Sequence, residues 1–583
     1  GILSTTTFMA EFPETFLCSA ISGSEDIPVG LLPVQKPEAL PLRGEKWTVG
    51  VDFGTTNTNV FYAASDGRAV PLQLSNRLLT VVKTGASAKQ QITADEFIDR
   101  SNNESAKFMS LFRQLGFNEK LNSIPFLNGI IWVPKDYKNI AKTGGVKTDL
   151  KWGGTKAREY ALMFLRQLAL LCQAEAAANG VSLIDWRFSY PTAFSSQERD
   201  TFTNIWRQIC QDVSEKTGIR CSSIKSKSES HAVAQFFVDG PQDASLGLAG
   251  VCIDIGGGSS DISVWEDNRL IAQTSLKFAG RNIGTAPLIR LLRTNKTEKI
   301  KNWDPENLIG ALSQQGTKEE TLLAQLDFLL KYKGEEMIGD LPVLQAENNV
   351  KETASIITLG LTGLLFHVGQ IVRYLFDTNK IVLRRGIPDI FIAGNGMRWF
   401  DWACYGKYSP HSTYKNAFCE VYKAGFLGQD VDVKGIASQN VQLTLSSCPK
   451  EEVSYGLVMQ SVALQPNPVD ESLVIAGLEF DGGKWNDPLS VEQIKKGVTV
   501  SGKNSLDQLC QMVKAFNRAS AKPGGNLFSH IEIDDDDRKK IRDNIEKKML
   551  EQKNLDAGTI SPQPLFILAL RDLLVAKASS KKS

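Results

Sequence analysis

Residues 47–64 read WTVGVDFGTTNTNVFYAA. Two apolar runs rich in β-branched and aromatic residues flank a short polar stretch, which predicts two strands joined by a tight loop. Asp52 ends the first run, and Gly54 follows where backbone amides can approach an anion. Thr55 and Thr56 place two hydroxyls where they can donate to phosphate oxygens, with Asn57 beside them. The pattern returns far downstream in VCIDIGGGSSDISVW, residues 251–265, a hairpin with a glycine-rich bend. There Gly256, Gly257, Gly258 and Ser259 form a second cradle, with Asp254 and Asp261 on either side. A third segment, PDIFIAGNGMR, reads as a buried strand entering a turn; Gly394, Asn395 and Arg398 offer a small-residue surface for a flat base and a ribose. Each of these turns alone is a common structural device. Two acid-glycine-hydroxyl cradles at two strand ends point to one phosphate site, and Mg²⁺, which prefers oxygen ligands and keeps its water, suits carboxylates facing a triphosphate.

Outward from these loops, strands alternate with helices. The tract 155–179 carries apolar residues at three- and four-residue spacing and stops near Gly180. IDWRFSYP follows as a strand ended by Pro191, and Ser195 or Ser196 caps the next helix. Residues 353–376 form the most apolar long segment, but Thr, Gly, His, Gln and Arg interrupt it, so it reads as a buried core helix and not a membrane span. Asp534 to Asp537 precede a basic helical run, where acids meet the positive end of a helix dipole. The final tract, LFILALRDLLVAK, is a short amphipathic helix that packs on the body or offers a docking face. Strands mixed with long helices predict an α/β protein, and no repeat of solenoid period is visible.

Bulk properties narrow the function classes. The 583 residues suggest several domain-sized units; 42% are hydrophobic and 22% charged, the composition of a globular protein. Lys plus Arg (66) nearly cancels Asp plus Glu (65), which argues against a nucleic-acid or anionic-membrane partner. Nine scattered cysteines without a C-x-x-C pair, and four histidines without metal-ligand spacing, point to a reducing cytoplasm and away from a zinc site. The chain starts with Gly, and no basic, apolar leader is visible, so a fragment or processed product is expected. Residues 1–45, with five prolines, read as an extended arm.

The three loop segments resemble the phosphate 1, phosphate 2 and adenosine motifs of the superfamily that joins heat shock protein 70 chaperones, actins and sugar kinases. Further stretches resemble the chaperone branch: YPTAFSSQER (190–199), SESHAVAQF with Glu229, LKFAGRNIG with Gly280, and PKEEVSYGLVMQSVAL (449–464), which is similar to the chaperones' P-D-E-A-V-A-Y-G run. The resemblance runs from about residue 46 to 464. It implies two ribonuclease H-like lobes, about 46–245 and 246–464, each a mixed five-stranded sheet with helices, facing a nucleotide cleft. It further implies ATP or ADP with Mg²⁺: Asp52 and Asp254 holding the metal largely through water, the two cradles around the phosphates, and Gly394, Asn395 and Arg398, with Lys333 a weaker candidate, at the adenosine. Glu229 and Asp261, with Asp52, are the expected catalytic residues, orienting or deprotonating the attacking water.

Three departures stand out. The chaperones' first-lobe lysine has no clean counterpart, with Lys107 or Arg113 nearest in KFMSLFRQLGF. Extra sequence fills about 399–448, and residues 465–583 are too few for a complete substrate-binding domain. The function implied is a slow ATPase acting as a conformational switch for a protein partner. An actin-like polymer or scaffold, a small-molecule kinase and a catalytically weak pseudo-ATPase are the alternatives.

Overall fold

The computed structural model describes residues 15–22, 25–33, 43–73, 107–114, 129–133, 145–151, 155–192, 194, 196–240, 249–294, 297–304, 306–309, 311, 319–384, 386–428, 434–437, 440–459, 464, 472–502, 504–521, 525–557 and 560–579. Ser195 therefore lies outside the described residues. Within the expected arm, β1 (Thr15–Ser22) and β2 (Glu25–Pro33) pair as an antiparallel hairpin.

The first lobe begins with β3 (Glu45–Phe53), buried from Trp47 onward, paired antiparallel with β4 (Asn57–Ala63). β5 (Ala69–Pro71) and β6 (Lys107–Met109) both pair with β4. A small sheet of order β8-β7-β9 adds β7 (Phe112–Gln114), β8 (Gly129–Ile131) and β9 (Val146–Lys147). Helix α1 (Thr155–Ala178) ends as expected at Gly180, whose φ of 78° favours glycine. It leads into β10 (Val181–Tyr190), parallel to β3. Helix α2 (Ser196–Thr217) then leads to β11 (Arg220–Ser228), parallel to β10, and α3 (Glu229–Asp239) follows. The sheet order is β11-β10-β3-β4-β5.

The second lobe repeats this plan. β12 (Ala249–Ile255), β13 (Ser260–Glu266) and β14 (Arg269–Leu276) form an antiparallel meander. Helices α4 (Gly280–Thr294), α5 (Glu319–Leu344) and α6 (Asn348–Asp377) follow, and then β15 (Asp389–Ala393), parallel to β12. Helix α7 (Thr413–Leu427) leads to β16 (Leu443–Leu445), parallel to β15, giving the order β14-β13-β12-β15-β16. In each lobe a central strand has an antiparallel hairpin on one side and two parallel strands on the other. Two such sheets facing one another are the two-lobed actin-like ATPase fold, built as a duplication that the sequence does not display as a repeat.

Two boundaries differ from the expected ones. Helix α8 (Glu452–Val458) leaves the second lobe and packs on β3, β4, β10 and α3 of the first. The contact is backbone-close: a Cβ at Gly50 would meet the Ser454 carbonyl at 2.8 Å, and one at Gly456 would meet that of Ala232 at 1.9 Å. The C-terminal segment packs on the second lobe. Helices α9 (Asp507–Ser520), α10 (Asp535–Lys553) and α11 (Leu565–Ser579) share one hydrophobic core with the second lobe. Leu570 packs on Gly363 of α6 and Leu574 on Gly360, so α11 covers the apolar helix read as a core element. Each Leu or Ile buried this way contributes about 1.5–3 kcal/mol. α6 and α1 are long and apolar enough to cross a membrane, yet the α6 window is wholly buried inside the fold. At α10, Asp534 and Asp537 form a reciprocal capping box, and Asp537 also pairs with Lys577 at 2.5 Å, which agrees with the helix-terminus reading of the acidic run.

Candidate functional site

The two hairpins place their loops face to face. In β3–β4 the Gly54 amide donates to the Asn57 carbonyl at 3.1 Å; in β12–β13 the Gly256 amide donates to that of Ser259 at 3.0 Å. A Cβ at Gly257 would lie 2.6 Å from Thr56 Cγ2, and one at Gly258 would lie 3.1 Å from Thr55 Oγ1. The cradles are therefore packed against one another, and only glycine allows the approach. The adenosine-like turn closes the same region. Gly394, at φ 79°, sits where a Cβ would be 2.1 Å from Asp254 Oδ1, and residues 395–398 form a 3₁₀ turn behind it.

Above these loops lies a cavity of about 260 Å³ lined by Thr56, Asn57, Gly256, Gly257, Gly280, Asn395 and Arg398, all expected site residues. Gly280 opens α4 with its amide bonded to the Gly256 carbonyl at 3.0 Å, tying the second cradle to a helix N-terminus. Arg398 bonds Glu335 at 2.8 Å. The remaining wall comes from residues that sequence reading missed: Trp399, Trp402, and the ion pair Arg281–Asp327 at 2.7 Å. Trp399 is seated against Gly284, where a Cβ would lie 2.0 Å from its ring. Lys333 is not among the lining residues; it bonds Glu336 one turn along α5, and Lys331 lines the cavity instead.

Beneath the cradles five carboxylates are buried: Asp52, Asp254, Asp261, Glu229 and Glu452. Asp52 and Asp254 end the two central strands, and each faces a polar residue across its hairpin, Asn59 and Asp261 respectively. Burial pushes Asp254 well above the ordinary carboxylate range, with Lys450 pulling it down and Glu229, Glu452 and Asp52 raising it. Asp261 is raised in the same way, by burial first and then by Glu229 and Asp254. Asp261 accepts the Thr192 amide at 3.2 Å, a bond that crosses from one lobe to the other just after Pro191. Glu452 accepts the Gly394 amide at 3.2 Å and so braces the third turn from α8.

Two lysines offset this acid cluster. Lys151, whose side chain is only 2% exposed, forms an ion pair with Glu229. Lys107 and Arg113, the nearest candidates for a first-lobe cation, lie in β6 and β7. A lone lysine in TDLKWGG carries no spacing signal, so nothing in the sequence marked it. Lys450 pairs with Asp52 at 2.5 Å. Its signal was present but unread: it stands at the acidic position of the P-D-E run in a segment otherwise matching that pattern.

Mg²⁺ held largely through its own water shell by Asp52 and Asp254 would need both carboxylates free of another cation. With the Lys450 ammonium already bonded to Asp52, the residues as arranged do not fit a divalent ion there, and no step below passes through one. Among the described residues, no group of three or more His, Cys, Asp or Glu side chains is placed to hold a metal.

No family model matches the chain, and no curated protein matches it. Among solved structures it is similar to the ethanolamine utilization protein EutJ from Carboxydothermus hydrogenoformans, at 13% identity, covering 73% of this chain and 92% of that one with a TM-score of 0.29. It is also similar to MreB5 of Spiroplasma citri bound to ADP, at 14% identity over 70% and 94% of the two chains with a TM-score of 0.31. Likenesses at these scores say nothing of the site, whose reading stands on this chain's own residues.

Proposed function

We propose that this chain binds ATP in the cleft between its lobes and hydrolyses it slowly, acting as a nucleotide-controlled switch for a protein partner. The observation that carries the reading is the meeting of the two cradles, Thr55–Thr56 against Gly257–Gly258, on the floor of the cavity that Asn395 and Arg398 also line. Amides and hydroxyls from both lobes then converge on one anion, as phosphate binding requires. The base lies between the 395–398 turn and the wall of Trp399 and Arg281.

In this reading Glu229 holds the attacking water and Lys151 fixes the carboxylate while offsetting charge on the transferring phosphate. Asp261 holds the second side of that water and links it to the other lobe through Thr192. A change in phosphate occupancy would thus be felt at Pro191 and along α2, where Arg199 lies 5.8 Å from the Tyr190 ring centroid. A partner that reads the angle between the lobes would follow the nucleotide state.

Calorimetry with ATP, together with phosphate release, tests the proposal on wild type, Gly257→Val and Glu229→Gln. The expected outcome is binding with slow release in wild type, lost binding in Gly257→Val, and retained binding without release in Glu229→Gln. Wild-type protein that binds no nucleotide would end the proposal.

A further inference from the structure

The proposed function leaves the chemistry of Lys450, at the phosphate floor, unexplained. The lysine reaches the site from the turn before α8, beside Pro449, and both residues line the cavity. Its backbone is held in the left-handed region, at φ 77°, a conformation that a lysine rarely adopts without support. The support is specific: buried Asn59 donates its side-chain amide to the Lys450 carbonyl at 2.9 Å. The ammonium then lies 2.5 Å from Asp52 Oδ2, and so close to Gly54 that a Cβ there would be 2.8 Å from Nζ. Burial works against the charge, but Asp52 and then Asp254 outweigh it and hold the lysine above its ordinary range. Lys450 is also the largest charge acting on Asp254. The ammonium thus pairs with Asp52, from a backbone position that Asn59 holds.

We propose that the Lys450 ammonium is the resident cation of the phosphate site, standing at Asp52 where a divalent ion would otherwise be held, so that the chain takes nucleoside triphosphate without Mg²⁺. This rests on the reading of the cleft as a nucleotide site. A single fixed positive charge offers three donors to phosphate oxygens and costs no metal recruitment. Two positive centres at that spot would repel one another, so the lysine and a divalent ion exclude each other.

The test is ATP binding by calorimetry in EDTA and in excess Mg²⁺, on wild type, Lys450→Gln and Lys450→Met, alongside thermal unfolding of the same proteins without nucleotide. The expected wild-type affinities in the two buffers agree within about threefold, whereas Lys450→Gln binds roughly thirtyfold more weakly in EDTA and recovers in Mg²⁺. Lys450→Met, which keeps the length of the stem, serves if Lys450→Gln does not fold. In the nucleotide-free experiment Mg²⁺ raises the Tm of the variants and leaves that of wild type unchanged. Wild-type binding at least about tenfold tighter in Mg²⁺, with the variants showing the same dependence, would overturn the inference. Absence of nucleotide binding in every buffer would remove the cleft reading instead, and the Tm series then decides the cation: an equal Mg²⁺ effect on wild type and variants overturns it.

Discussion

The hairpins β3–β4 and β12–β13 are one structure used twice, with different charge around it. In both, an aspartate ends the central strand, a glycine amide closes the loop three residues on, and a polar residue stands across the ladder. In the first lobe that residue is Asn59, which is neutral and holds Lys450 over Asp52. In the second it is Asp261, a further buried acid whose bond runs to Thr192 in the opposite lobe. The cations Lys151 and Lys450 pair with Glu229 and Asp52 of the first lobe, whereas Asp254 and Asp261 of the second are pushed upward by burial and by their neighbours. Duplication supplies two cradles of the same shape, and the chemistry comes from what is not duplicated.

The largest expected effect separates the two cradles sterically. Gly394→Val puts a branched side chain at positive φ against Asp254 and should cost more than about 4 kcal/mol in chemical denaturation, with loss of ATP binding. Gly54→Val, in the first cradle, meets the mobile end of Lys450 as well as the Asn57 carbonyl and should cost less. Equal effects would mean that the third turn is no more tightly braced than the first cradle.

Charge is the next distinction. Lys151→Met leaves Glu229 buried without its cation, and should destabilise the protein by about 3 kcal/mol while lowering phosphate release on the order of 100-fold. Adding Glu229→Gln should restore most of the stability and none of the turnover, as read by denaturant midpoints and phosphate assays. Recovery of turnover in the double variant would remove the pair from the mechanism.

A smaller effect tests how the lobes are supported. Only the second is sealed by C-terminal helices, and Leu570→Ala should cost about 2–3 kcal/mol by opening a cavity over Gly363. ATP affinity should stay within about threefold of wild type, because the cleft lies away from α11. A large loss of affinity would show that the seal and the site are coupled.

The smallest concerns one buried histidine in each lobe. His231 and His367 are both held at about 4 by burial, with Lys227 lowering His231 further and a bond between His367 Nδ1 and Gln370 raising His367. Both stay neutral in the folded protein, so their stabilising contribution is present above the unfolded value near 6.5 and is lost as pH falls toward 4. By about pH 5.5 each should have cost roughly 1 kcal/mol, and His367→Gln should flatten the Tm-against-pH slope by its share.

The hairpins and third turn were legible because backbone geometry demanded glycine after a strand-end acid, and glycine spacing survives in sequence. The duplication was legible only through the resemblance to the superfamily and not as a repeat, since a shared strand order needs no shared residues. Lys151 and Lys450 escaped for a physical reason as well: a charge acts through space, and its partners Glu229 and Asp52 are far away along the chain. Of the C-terminal helices α10 and α11 were readable one by one and α9 was not, nor was the burial of α11 against α6, because an amphipathic face does not name what covers it.

The most direct test of a single site built from both lobes is amide hydrogen exchange with and without ATP. Simultaneous protection of the segments around 52–59, 254–261 and 394–398 is the predicted result, since one ligand would close three loops at once. Protection confined to one lobe, or unchanged exchange in all three segments at saturating ATP, would contradict the account.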